Sequence, residues 1–139
     1  MKKSLLFFFI GLTCSISTAW ADVTFRVNVP EGTQHCYVVG ALPELSSWAA
    51  GAGVAMTKVE GQNQFVVTVA GISASDVSAS DGYKYVCGPD WKYVEVTASN
   101  GEMANRKTVG NPDVVGKWRN VYTAIGIVEN WTIAGKNYP

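Results

Sequence analysis

Val23-Thr-Phe-Arg-Val-Asn-Val29 alternates without a break, with Val23, Phe25, Val27 and Val29 on one face and Thr24, Arg26 and Asn28 on the other. A period of two predicts a half-buried antiparallel strand. Pro30-Glu-Gly-Thr makes the turn after it. Cys36 to Val39 is a short apolar run that predicts a more buried strand, ended by Gly40. Val54 to Val59 carries a weaker strand pattern, whereas Gln64-Phe-Val-Val-Thr-Val69, bracketed by Gly61-Gln-Asn and Gly71, carries a strong one. Ile72 to Asp81 is rich in Ser, Ala and Asp without clear period and reads as a loop. Tyr83-Lys-Tyr-Val-Cys87 predicts another strand, stopped by Gly88-Pro-Asp. Trp91-Lys-Tyr-Val-Glu-Val96 alternates again, and Arg106 to Val109 follows a polar turn around Ser99-Asn-Gly. Helical period is absent, except that Pro112 to Trp118 could start a helix on its proline. Val121 to Val128 predicts a further edge strand. About seven short strands between turn signals predict an all-β fold, an antiparallel immunoglobulin-like β-sandwich.

The two ends change how much of the chain that fold uses. Met1-Lys-Lys is a positive start, Leu5 to Ile10 is unbroken apolar chain, and Ala19-Trp20-Ala21 ends a small, polar stretch. This is the layout of a secretory signal peptide cleaved near Ala21, and the apolar run is far short of the ~20 residues of a membrane span. Lipidation at Cys14 is the weaker alternative to plain cleavage, because Gly11 stands where Leu is usual and Thr13 where a smaller residue is usual. Residues 1–21 are thus expected to be a leader, 22–119 the domain, and 120–139 a C-terminal extension. Trp131, Ile133 and Tyr138 in that extension predict that part of it packs back. Asn130-Trp-Thr132 matches a glycosylation sequon, with nothing else in the chain to suggest a host that would use it.

Eleven basic residues balance eleven acidic ones, and without Lys2 and Lys3 the mature chain is slightly acidic. Lacking a basic patch, it is not expected to bind nucleic acid. Cys36 and Cys87 both fall in predicted strands of an exported chain. A cross-strand disulfide and a pair of buried small hydrophobes both fit that placement.

Chemistry has few candidates. The single histidine, His35, cannot form a dyad with Cys36, because adjacent strand residues point to opposite faces. There is no G-x-S-x-G, C-x-x-C or H-E-x-x-H, and no calcium-loop spacing. A glycosidase needs two carboxylates facing across a cleft, for which so small a sandwich has little room. The expectation is a protein without catalysis, metal or cofactor. The aromatics are more informative. Core packing is the ordinary fate of tryptophan, but Trp48 falls in a Ser- and Ala-rich loop and Trp91 follows Gly88-Pro-Asp at a strand mouth. Aromatic faces left at the surface are binding candidates. The apolar face of a pyranose lies flat on an indole while its rim hydroxyls hydrogen-bond to polar neighbours.

Val38-Val-Gly-Ala-Leu-Pro-Glu-Leu-Ser-Ser-Trp48, with Val23-Thr-Phe-Arg-Val, Phe65-Val-Val-Thr-Val, Tyr83-Lys-Tyr and Asn105-Arg106, resembles the starch-binding domain found at the end of glucoamylases and many amylases. The likeness covers roughly residues 23–109. It implies an α-glucan site in which Trp48 and Trp91 are stacking platforms and Lys84 and Asn105 donate to glucose hydroxyls. The chain departs from the family pattern in three places. Ser46-Ser47 replaces Gly-Asn before Trp48. The stretch from Trp91 to Asn105 is longer, which makes Tyr93 an alternative second platform. The loops 30–34 and 58–63, which carry the family's second site, hold no aromatic, so one site per chain is expected.

The resemblance therefore implies a secreted, non-catalytic protein that binds starch or glycogen. It would act as a surface or periplasmic capture factor, or as a detached partner of a glucan-degrading enzyme or transporter. The alternative is an immunoglobulin-like interaction or scaffold protein that uses the same aromatics on another protein.

Overall fold

A computed structural model describes residues 21–123. The expected leader up to Trp20 and most of the C-terminal extension, with most of the expected edge strand at 121–128, Trp131, Ile133, Tyr138 and the sequon, lie outside the described residues.

The strict alternation at the start of the chain forms β1 (Asp22–Asn28). It pairs antiparallel with β5 (Gln64–Ala70) over its full length, from Asp22 opposite Ala70 to Asn28 opposite Gln64. That register puts Val23, Phe25 and Val27 on one face with Phe65 and Val69, all of them buried. The other face carries cross-strand polar pairs. Thr24 and Thr68 share a hydrogen bond at 2.8 Å, and Arg26 Nη1 donates to Gln64 Oε1 at 3.0 Å. The expected strand at 54–59 is two short pieces that belong to different sheets. β3 (Val54–Ala55) pairs with β2 (Tyr37–Gly40), while β4 (Thr57–Lys58) pairs with β5. Met56 between them is buried, and its N–H donates to Cys36 O at 3.0 Å.

Two sheets result, one ordered β4-β5-β1-β7 and the other β3-β2-β6, where β6 is Tyr83–Val86 and β7 is Asp113–Val114. Buried residues of both sheets share one apolar cluster, with Phe25 and Phe65 from the larger and Val38, Tyr83 and Tyr85 from the smaller. Tyr83 meets Phe25 and Tyr85 edge-on, at centroid distances of 5.0 and 5.7 Å. The period of two on β6 leaves Lys84 and Val86 on its opposite face. There Val39, Val86, Val94 and Val96 form a second, smaller apolar cluster.

Several expectations need correction. The sheets are not purely antiparallel, because β7 runs parallel to β1, with Val27 opposite Asp113 and Asn28 opposite Val114. The segment expected to start a helix at Pro112 supplies this strand instead. It then carries Trp118 into the core, where the indole N–H donates to Thr33 Oγ1 at 2.9 Å. The expected loop at 72–81 contains a short helix, α1 (Ala74–Ala79). Ser73 Oγ accepts from Asp76 N–H at 3.1 Å while Asp76 Oδ2 accepts from Ser73 N–H at 2.8 Å, the reciprocal capping box. Arg106 makes an isolated bridge to Tyr83 rather than starting a strand. Cys36 and Cys87 are free and buried; the expected alternative of a disulfide is replaced by two thiols packed as small hydrophobes, with Cys87 Sγ donating to Asn120 O at 3.3 Å.

Close approach is enforced by glycine at one crossing. A Cβ on Gly40 would meet Gly82 O at 2.7 Å and Leu45 Cδ1 at 2.8 Å. Any side chain there would push the loop carrying Trp48 away from β6.

Candidate functional site

The outer face of the smaller sheet gathers the expected residues. Trp48 ends a 3-10 turn that begins at Pro43. Leu45 anchors this turn, fully buried, and Ser47 N–H donates back to Leu42 O at 3.1 Å. Ser46, Ser47 and Trp48 then take φ of 70°, 50° and 67°. Three consecutive non-glycine residues in the left-handed region are strained. The bonds from Ser46 Oγ to Ala49 O and from Ala49 N–H to Ser46 O, both 2.9 Å, hold the turn in place. Its result is an indole laid on the second apolar cluster, half-buried rather than as exposed as its loop position predicts.

Trp91 comes from the other side. The alternation of 91–96 predicts a strand, but Trp91–Tyr93 is a 3-10 turn capped by Asp90, whose carboxylate accepts from Lys92 N–H at 3.0 Å. Only Val94 onwards joins β6, through the bridge between Val86 and Val94. The turn separates its two aromatics, because residues two apart in a 3-10 turn diverge by about 120°. Trp91 meets Trp48 at a centroid distance of 6.1 Å and an interplanar angle of 43°. Tyr93 turns to the opposite side and packs edge-on against Tyr122 at 5.0 Å. Tyr93 thus lies away from the Trp48 side, while Trp91, 36% exposed, lines the same groove as Trp48.

Lys84 reaches the same groove from the outer face of β6. Its side chain is only 9% exposed, and Nζ donates to Glu102 Oε2 at 3.2 Å. Asn105 borders the groove with one amide N–H already donated to Asp81 O at 2.9 Å, which leaves a single N–H for a ligand. Trp48, Lys84, Trp91, Glu102 and Asn105 together line an open groove of about 240 Å³. Glu102 was missed at the level of sequence. The turn in which Thr97 N–H donates to Gly101 O folds it back opposite Val96, and only the Ser99-Asn-Gly turn signal pointed towards such a return.

A buried polar network stands behind the groove. Glu95, 1% exposed, accepts from Tyr85 N–H at 3.1 Å and from Arg106 through Nε at 2.9 Å and Nη2 at 2.6 Å. Arg106 stacks on Tyr85 and donates to Val114 O at 2.8 Å. Asp113 Oδ2 accepts from both phenols, Tyr83 at 2.7 Å and Tyr85 at 2.8 Å. Burial alone would lower the Arg106 pKa, but the hydrogen-bonded Glu95 carboxylate, with Asp113 beyond it, raises it instead. Burial, and then Asp113, pushes both phenols well above the ordinary tyrosine range. The network ties β6, β7 and the 94–96 ribbon together beneath the site. His35 and Cys36 do diverge, His35 lying near Tyr122 at 5.7 Å and Cys36 in the core.

No family model matches the sequence, and no curated protein does. Two solved structures superpose in part. For the glucoamylase of Hormoconis resinae the identity is 14%, over 68% of this chain and 17% of that one, with a TM-score of 0.42. For the glycoside hydrolase family 15 glucoamylase of Hypocrea jecorina it is 21%, over 81% of this chain and 20% of that one, also with a TM-score of 0.42. This chain thus spans about a fifth of the length of either, and superposition at that level establishes neither fold nor function.

Proposed function

We propose that this is a secreted, non-catalytic protein that binds α-glucan at one surface site on an immunoglobulin-like β-sandwich of the starch-binding kind. The observation that carries the reading is the Trp48–Trp91 pair, tilted by 43° at 6.1 Å with Lys84 and Asn105 at the same groove. Tilted platforms follow the natural curl of an α-1,4-linked chain, whereas a flat β-1,4 chain favours coplanar rings. Lys84 and Asn105 offer donors at the rim, and Glu102 offers an acceptor, for hydroxyls that both give and take hydrogen bonds. Each stacked ring contributes about 1–2 kcal/mol at roughly 25 cal/mol per Å² of apolar area. So shallow a site binds in the range of about micromolar to millimolar.

The test is retention of the purified protein on insoluble starch, with cellulose and chitin as controls. Retention on starch alone is expected. Trp91→Ala should weaken it roughly tenfold, and the Trp48→Ala/Trp91→Ala double variant should abolish it. No reducing sugar should be released from amylose. Equal retention of wild type and double variant, or of wild type on all three solids, would overturn the reading.

A further inference from the structure

Trp91 borders more than one groove. A second groove of about 240 Å³ shares Lys84, Trp91 and Glu102 with the first and adds Val94, Glu95 and Arg119. Arg119 lies beyond the stretch that resembles the starch-binding domain, and the backbone holds it firmly. Its N–H donates to Val94 O at 2.8 Å. Before it, Trp118 is fixed in the core. After it, Asn120 Nδ2 donates to Lys92 O at 2.8 Å, tying the segment to the very turn that presents Trp91.

The groups bordering this second groove divide by the bonds they already make. Val94 is an apolar wall. Glu95 lends no acceptor, since both oxygens are taken by Arg106 and one of them also by Tyr85 N–H. Glu102 has a side chain 82% exposed and only Oε2 engaged, by Lys84. The exposed Arg119 forms no ion pair among the described residues. What remains open is one acceptor and a fork of donors, beside an indole shared with the first groove. A pyranose needs that combination: an apolar face to lie on, and rim hydroxyls that donate and accept.

Resting on the α-glucan reading of the Trp48–Trp91 groove, we propose that Arg119 and Glu102 form an extension subsite for the next glucose units of the same chain. Trp91 then stands in the middle of an elongated site, and the protein selects glucan segments longer than a disaccharide.

A titration series on the full mature chain, using α-1,4-linked glucose oligomers of two to seven units and indole fluorescence or calorimetry, tests this. Wild-type affinity should rise roughly tenfold between two and four units, the order expected for a hydrogen bond to a charged group, and then level off. R119A should remove most of that rise while leaving the two-unit affinity and the melting temperature unchanged. R119Q, which keeps much of the side-chain length, replaces R119A if the latter lowers the melting temperature. Trp48→Ala should weaken every length alike. A wild-type affinity independent of length, or an arginine variant that loses short and long oligomers equally, overturns the extension and leaves the first groove standing. Failure of the wild type to bind any member of the series overturns the α-glucan reading and the extension with it.

Discussion

Ser46 and Ser47 hold the backbone where glycine and asparagine are at ease. A left-handed conformation costs an ordinary residue roughly 1–2 kcal/mol. The exposed Ser47, at φ 50° and ψ 46°, is the cleaner probe. Ser47→Gly should be neutral or stabilise by up to about 1 kcal/mol, while Ser47→Val should destabilise by about 1–2 kcal/mol. Denaturant midpoints at unchanged slope would measure both. The strain aims Trp48 at Trp91 while its indole stays packed against the cluster of Val39, Val86, Val94 and Val96. Sequence placed the residue in the groove but overstated its exposure, because nothing in a Ser-rich loop reveals a run of positive φ.

At the scale of elements, the ribbon at Val94–Val96 depends on one ion pair. With Glu95 almost wholly buried, removing Arg106 strands its carboxylate, whereas removing Glu95 leaves Arg106 its contact with Asp113 Oδ1 at 3.7 Å. Arg106→Leu should therefore cost about 3–5 kcal/mol, and Glu95→Ala less. The Glu95→Ala/Arg106→Leu double variant should cost less than the sum of the singles, in a double-mutant cycle read by chemical denaturation. The strands β1 and β5 were legible because burial on one face imposes a period of two on side chains, whereas β2 and β6, covered on both faces, showed as short apolar or aromatic runs between turn signals. What escaped was held by other means. A six-residue helix is too short to display a helical period, although Ser73 and Asp76 carried its capping signature. Trp91 sat in an alternating pattern, but the Asp90 cap turned it into a 3-10 segment. Glu102 and Arg119 reach the groove through turns and single bridges, which leave no periodic trace. Trp48, Lys84, Trp91 and Asn105, singled out through a motif likeness, line one groove, whereas Tyr93, offered because the stretch from Trp91 to Asn105 is longer than in the resembled pattern, packs against Tyr122 instead.

For the molecule as a whole, buried acids that stay protonated set the alkaline limit. Burial, then hydrogen bonding and charge from Asp113, raises Tyr83, whereas for Tyr85 charge follows burial. Burial also raises the thiols of Cys36 and Cys87. Each group holds its proton more tightly when folded than unfolded. The stability it contributes is complete below the unfolded pKa and declines as pH climbs past it. Melting temperature should then fall from about pH 8.5–10 upward, thiols first and phenols next. Substituting Cys36 and Cys87 by alanine should remove the earlier part of the decline.

The placement of β1 also bears on when the fold can close. It is the first strand among the described residues, yet it lies between β5 and β7, and one of its edges finds its partner only at residues 113–114. A chain delivered from its N-terminus, whether by synthesis or by threading through a channel, keeps that edge open until residues 113–114 have emerged. Shortened or stalled chains cannot complete the larger sheet, and they present a bare strand edge to their neighbours.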